Sequence, residues 1–131
     1  MTKTIVQQVK FKAKPERLYD LYMDSKLHSE STGGSAKLST KVGGPFSAWD
    51  GYITGKNLAL FPKRALVQSW RAADWDDGDE DSIFTLSFDK APGGALVTMV
   101  HANVPDGTYT DLKQGWVDNY WNPWKAYLRE K

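Results

Sequence analysis

The sequence predicts an α+β layer fold in which a long C-terminal helix covers the concave face of an antiparallel sheet. Three observations carry this. The elements run strand, two short helices, a series of strands, then one long helix. The strands are joined by tight-turn signals, as in a meander, with no internal repeat and no linker-like stretch. The last helix has an apolar arc far wider than a surface helix needs.

Ile5 to Lys12 alternates, with Ile5, Val9 and Phe11 on one parity, and reads as a half-buried first strand. Pro15 and Glu16 open a helix, proline losing nothing in a first turn, and Leu18, Tyr19, Leu21 and Tyr22 follow at helical spacing. A short second helix continues through Leu27 until Gly33 and Gly34 break it. Lys37 to Val42 reads as a strand, and Gly43, Gly44 and Pro45 as a turn. Asp50 and Gly51, a favoured pair for a two-residue turn, join Phe46–Trp49 with Tyr52–Leu60 in a hairpin. Pro62 and Lys63 turn into Ala65 to Ala72. An acidic loop, Asp74 to Asp81, precedes strands at Ile83–Phe88 and Leu96–Val104, which are separated by Pro92, Gly93 and Gly94.

Thr110 is the expected N-cap of the final helix, with Asp111 at its positive end. At 100° per residue, Leu112, Pro123, Trp116, Tyr127, Tyr120, Trp124, Val117, Leu128 and Trp121 form one continuous half of the wheel, with only Lys113 intruding. Gln114, Lys125, Asp118, Arg129, Asn122 and Asn119 fill the other half. An arc of about 180°, where about 100° seals a core, must cover a second surface: a cavity wall, a neighbouring helix or a partner. Pro123 cannot donate to the carbonyl of Asn119 and should kink the rod.

At 131 residues the chain suits one domain spanning 1–131, large enough for a core without staples. A formal charge of +1 gives no field for nucleic acid or anionic membranes. The absence of cysteine excludes disulfides, thiolate nucleophiles and Cys-ligated metals. With no h-region and no membrane-length apolar run, the expectation is a soluble cytoplasmic protein.

Four stretches, AKPERLYDLYMD, GGPFSAWDGYITGKNLALFPKRALVQSWR, LVTMVHANVP and QGWVDNYWNPWKAYL, in this order and spacing, resemble the START-like (Bet v 1-like) helix-grip superfamily. Within it they are similar to the family of the C-terminal domain of the Hsp90 ATPase activator. The resemblance implies a curved sheet wrapped around the last helix, with an elongated apolar tunnel between them. It implies a small hydrophobic ligand, with an Hsp90-type chaperone as the alternative partner. Related helix-grip proteins also include a few cyclases, a weaker third reading. The eukaryotic co-chaperone resembles this chain only in its second half.

Trp49, Trp70, Phe84, Trp116, Tyr120 and Trp124 are the candidates for lining such a tunnel; for any single one core packing is the commoner role, and their collective excess carries the reading. Met99 and His101 share a parity with Val97 and Asn103, so they join the lining if that side faces the helix. His101 could donate a hydrogen bond or act as a weak base, but a base needs an orienting partner and none is apparent. A hydrogen-bonded wall histidine is therefore the expectation. His28, near a short helix end, is expected to face solvent. Two isolated histidines make no metal site, and no catalytic residue is assigned. Asp74 to Asp81 fails EF-hand spacing, since aligning Gly78 puts Ala73 and Phe84 at the terminal ligand positions. It reads as a solvated connection whose six carboxylates repel one another and make it mobile, which would suit a lid or a contact for a basic patch. Arg71 could hold that loop or a ligand carboxylate, with a surface ion pair as the expected, weaker role. The GYITGK stretch has the wrong spacing for a phosphate loop, and no dinucleotide fingerprint or nucleophile elbow occurs, so no cofactor is expected.

Overall fold

A computed structural model describes residues 1–130. The strands are β1 (Thr2–Phe11), β2 (Lys37–Leu38), β3 (Pro45–Ala48), β4 (Ile53–Phe61), β5 (Ala65–Ala72), β6 (Ser82–Ala91) and β7 (Gly94–Pro105). Helices α1 (Pro15–Met23) and α2 (Ser25–Thr32) follow β1. A 3₁₀ turn at Asp106–Thr108 leads into a helical run composed of α3 (Tyr109–Trp116), a π-helical turn (Val117–Trp121) and α4 (Asn122–Glu130). The seven strands form one antiparallel sheet in the order β1-β7-β6-β5-β4-β3-β2. The chain thus lays down a meander from β2 to β7 and closes its far edge with β1. Among the described residues no helix is long and apolar enough to cross a membrane.

Strand parity decides the core. Leu66, Gln68, Trp70 and Ala72 of β5, Ser82, Phe84, Leu86 and Phe88 of β6, and Ala95, Val97, Met99 and His101 of β7 are all buried. The register sets Leu86 opposite Met99 and Phe84 opposite His101. On β7 the alternation breaks at Asn103, which adopts a left-handed conformation (φ 62°) and makes Val104 the next buried residue. The expectation that Asn103 shares the inner parity of His101 is therefore corrected: its side-chain amide donates to the Asp81 carbonyl at 3.0 Å.

Several local expectations are refined. Asp50 and Gly51 both have positive φ, 58° and 88°, as a primed hairpin turn requires. The strand at 37 shrinks to two residues because Ser39 to Gly44 is consumed by turns, with Gly43 N–H donating to the Asn57 carbonyl. Helix α2 runs past Leu27 to Thr32 and is closed by left-handed Gly33 (φ 86°). The last helix starts at Tyr109 from the preceding 3₁₀ turn, so Thr110 lies inside it and caps nothing. Pro123 acts earlier than a simple kink would: the missing N–H is absorbed by widening Val117–Trp121 into a π turn, where Asn122 N–H reaches back to the Val117 carbonyl.

Gly55 of β4 sits directly against the β5 backbone: a Cβ there would lie 1.8 Å from the Ser69 carbonyl oxygen. Backbone cannot yield as a side chain can. Gly55→Ala is expected to destabilise the fold by about 1–3 kcal/mol or more, as over-packing does. Chemical denaturation checks this, and an unchanged midpoint would contradict the close approach.

Candidate functional site

The polar half of the last helix is exposed at Gln114, Asp118, Asn119, Asn122, Lys125 and Arg129, while Trp116, Tyr120, Trp121 and Trp124 are buried against the sheet. Trp116 stacks on Phe84 with centroids 4.7 Å apart and planes 2° from parallel. Toward the C-terminus the rings close up: Trp124 lies 5.7 Å from Phe11 and 5.5 Å from Trp121. The Trp124 indole N–H is buried with no hydrogen-bond partner among the described residues. Around Trp124 the space between helix and sheet is filled with rings, and a groove of about 350 Å³ remains nearer the chain end, between β1 and α4, lined by Phe11, Lys125 and Leu128 among others.

Toward the start of the helix the two layers part. A cleft of about 450 Å³ opens there. One wall is α3, with Asp111, Leu112, Gly115 and Trp116, continuing through Asn119 and Tyr120. The other is the β3–β4 turn and the end of β5, with Trp49, Tyr52, Ile53, Trp70 and Ala72. Asp74, Trp75, Gly107 and Thr108 complete the rim. The rings form a continuous chain of contacts, Trp75–Trp70 (5.7 Å), Trp70–Trp116 (6.2 Å), Trp116–Tyr120 (4.7 Å) and Tyr120–Trp49 (6.1 Å). Trp49 is held from behind by Gly34, where a Cβ would overlap the indole at 2.2 Å. Gly115 has the opposite role: a Cβ there would meet only the Asn119 side-chain amide, at 3.6 Å, so its bareness widens the cleft.

Behind this wall lies His101, fully buried. Trp116 Nε1–H donates to His101 Nδ1 (3.2 Å), so the ring proton sits on Nε2 and is directed at Ser82 Oγ (2.7 Å). Ser82 Oγ–H in turn donates to the Trp70 carbonyl (2.7 Å). Both imidazole nitrogens are committed. The histidine gives a proton to the serine instead of taking one, the reverse of nucleophile activation. Burial lowers its pKa to about 3, so it holds Trp116 and Trp70 in place as a neutral ring.

A second buried network was not legible in the sequence. His28, expected to face solvent, is instead buried, and this corrects that expectation. Its Nδ1 lies 2.8 Å from the Tyr22 carbonyl and must donate to it, leaving Nε2 to accept from the Tyr120 hydroxyl at 2.9 Å. Tyr22 donates to Gln68 (2.7 Å), Gln68 to Asn57 (2.9 Å), and Asn57 to the Ser39 and Lys41 carbonyls. Burial lowers His28 to about 4, the Tyr22 carbonyl bond partly offsetting it, and pushes the Tyr120 phenol up against a smaller opposing effect of the hydrogen bond from Trp49. Helix α2, the last helix and β5 are thereby tied through polar groups.

The acidic loop is tethered. Arg71 donates to the Asp79 and Asp76 carbonyls, both at 2.6 Å, and pairs with Asp81 at 3.3 Å, while Trp75 is buried against Trp70. Arg71 therefore holds the acidic loop and also makes the expected surface ion pair, with Asp81. Its bonds are to backbone oxygens, which fix the shape of the loop better than a lone surface ion pair would.

Of the eight candidates for lining a ligand space, Trp49, Trp70, Trp116 and Tyr120 meet at the cleft. Phe84, Met99, His101 and Trp124 are fully buried beneath or beyond it and back the wall. Tyr52, Trp75, Asp111, Leu112, Gly115 and Asn119 line it without having been singled out. Leu112 lay on the wide apolar arc, and Gly115 offered a further signal, since a glycine inside a helix calls for a packing or functional reason.

The sheet gripping a C-terminal helix widened by a π turn is the helix-grip fold. Residues 12–129 match the family model described as activator of Hsp90 ATPase homolog 1-like protein, and the chain belongs to that family. The activator of 90 kDa heat shock protein ATPase homolog of Dictyostelium discoideum is 29% identical over 119 residues, and homolog 1 of Homo sapiens 30% over 110, covering 90% and 84% of this chain. The matches cover 31% and 32% of those proteins, so the chain spans about a third of their length. Among solved structures, an HSP90 activator from Plasmodium falciparum superposes with a TM-score of 0.83 at 25% identity, covering 98% of this chain and 96% of that one. A Mesorhizobium loti protein superposes at 0.85 with 22% identity, covering 98% of both chains, which shows the shared fold.

The histidines give a pH signature. Both are held neutral when folded, at about 4 and about 3, against 6.5 for a free imidazole. Below pH 6.5 the unfolded chain takes up protons that the folded chain does not, so stability is complete above 6.5 and falls as the pH drops toward 4. His28 alone contributes a loss on the order of 3 kcal/mol. Denaturant midpoints at pH 7.5, 5.5 and 4.5 should decline in that order; a flat profile would remove the buried-neutral assignment.

Proposed function

We propose that this chain is a non-enzymatic helix-grip domain that holds one small hydrophobic or amphipathic molecule in the cleft between α3 and the β3–β4 hairpin. The observation that carries this is the unfilled space of about 450 Å³ walled by five aromatic rings in mutual contact. That volume is within the range of about 300–1,000 Å³ typical of ligand sites. His101, the one side chain considered as a base, is spent on positioning the wall, which favours a binding role over catalysis of cyclisation.

Gly115→Leu tests the site. The new side chain projects where only Asn119 stands nearby, and glycine in a helix is about 1 kcal/mol less favourable than alanine, so folding should be intact or improved. Native mass spectrometry against lipid and polyketide libraries should find a ligand on the parent chain. The variant should bind it at least tenfold more weakly, on the order of the 1–3 kcal/mol typical of over-packing. A parent chain that retains nothing from such libraries would sink the proposal.

A second reading is supported by the family and by the Plasmodium chain whose length this one nearly matches: a protein-binding module for an Hsp90-type chaperone, presenting strand edges and the acidic loop. Chaperone ATPase turnover should then rise when this protein is added, and no change at saturation would dispose of it.

A further inference from the structure

Taking the cleft as a ligand site, we infer that its occupant is a lipophilic organic cation: an apolar body carrying an ammonium or other positively charged head. The lining combines two features that suit this class. Electron-rich ring faces surround the space, and Trp49 and Tyr52 are the least buried of its aromatics. Such rings attract a desolvated cation through their quadrupoles.

The charged groups facing the cleft are all of one sign. Asp74 and Asp111 line it, and neither Lys, Arg nor His does. An adjoining depression shares Asp74, Trp75, Gly107 and Thr108 with the cleft and adds Asp76, Asp79 and Asp106. Opposing them are Arg71, drawn into the acidic loop, the amino group of Met1 at the same depression, and the positive end of α3. Five carboxylates outweigh these, so the rim stays negative. Lys3 and Lys113 instead lie over the Tyr109 ring, 5.0 and 5.8 Å from its centroid. A carboxylate-bearing ligand such as a fatty acid would meet no cation in the cleft and would be repelled at its mouth.

Three probes with the same eight-carbon tail separate the possibilities: octyltrimethylammonium, octanol and octanoate, each titrated into the intact protein at low ionic strength and followed through its indole N–H resonances. The ammonium should bind about tenfold tighter than the alcohol, and octanoate weakest, with the preference shrinking as salt is added. Asp74→Asn with Asp111→Asn should compress that preference to about threefold or less, and Trp49→Leu should weaken the ammonium more than octanol. Both aspartates are on the surface, and a thermal melt confirms that the variants fold. Octanol matching the ammonium, octanoate exceeding it, or ammonium binding that survives Gly115→Leu overturns the charge preference or its location. Silence from all three probes removes the ligand site itself, and the cation with it.

Discussion

The fold turns on the face-to-face packing of Trp116 against Phe84, the point at which the last helix meets the middle of the sheet. Dispersion between two parallel rings 4.7 Å apart is spread over many atom pairs, and the contact is reinforced on its flanks by Tyr120, Trp121 and Trp70. The position of this stack along the helix divides the space between the layers. Beyond it, Trp121, Trp124 and Phe11 pack ring against ring and leave only a groove between β1 and α4; before it, Leu112 and Gly115 line the cleft that faces the hairpin.

Apolar packing alone would leave such a helix free to roll or slide, because rings accept many neighbours equally well. Directional bonds remove that freedom. Trp116 donates to His101 on β7, Tyr120 to His28 on α2, and Trp121 to Gln7 on β1 at 2.7 Å. Each joins the helix to a different element. Because the interior has a low effective dielectric, breaking any one would strand a buried polar group at a cost of about 1–3 kcal/mol. The same bonds freeze the wall of the cleft, so the rings stand ready in position before anything enters.

Family membership and chemistry answer different questions here. The match over residues 12–129 establishes what the chain is related to, while a shared fold leaves open what the cleft accepts. The local composition of this chain is what addresses that: aromatic walls, a glycine that keeps space open, and a rim where carboxylates outnumber cations. The acidic loop looks from its charges like a free, self-repelling lid. It is held down by Arg71 through backbone carbonyls and by Trp75 through its ring, so its carboxylates form a fixed rim.

The sequence by itself determined the layer order, the parity of the strands and the face of the final helix. All three follow from periodicities of about two and 3.6 residues, which local sterics impose before any tertiary contact forms. It also marked Asp50–Gly51 as a turn. Only the tertiary structure decided that His28 is buried, since its partner Tyr120 lies 92 residues away and its own helix, SKLHSEST, looks polar. Only the tertiary structure split the eight ring and core candidates between an open cleft and a filled interior. A helical wheel reports which side of a rod is greasy, but how much of that side is covered depends on the reach of side chains from other strands, and on whether a proline bends or widens the rod. Here Pro123 widened it, and the space was left at the other end.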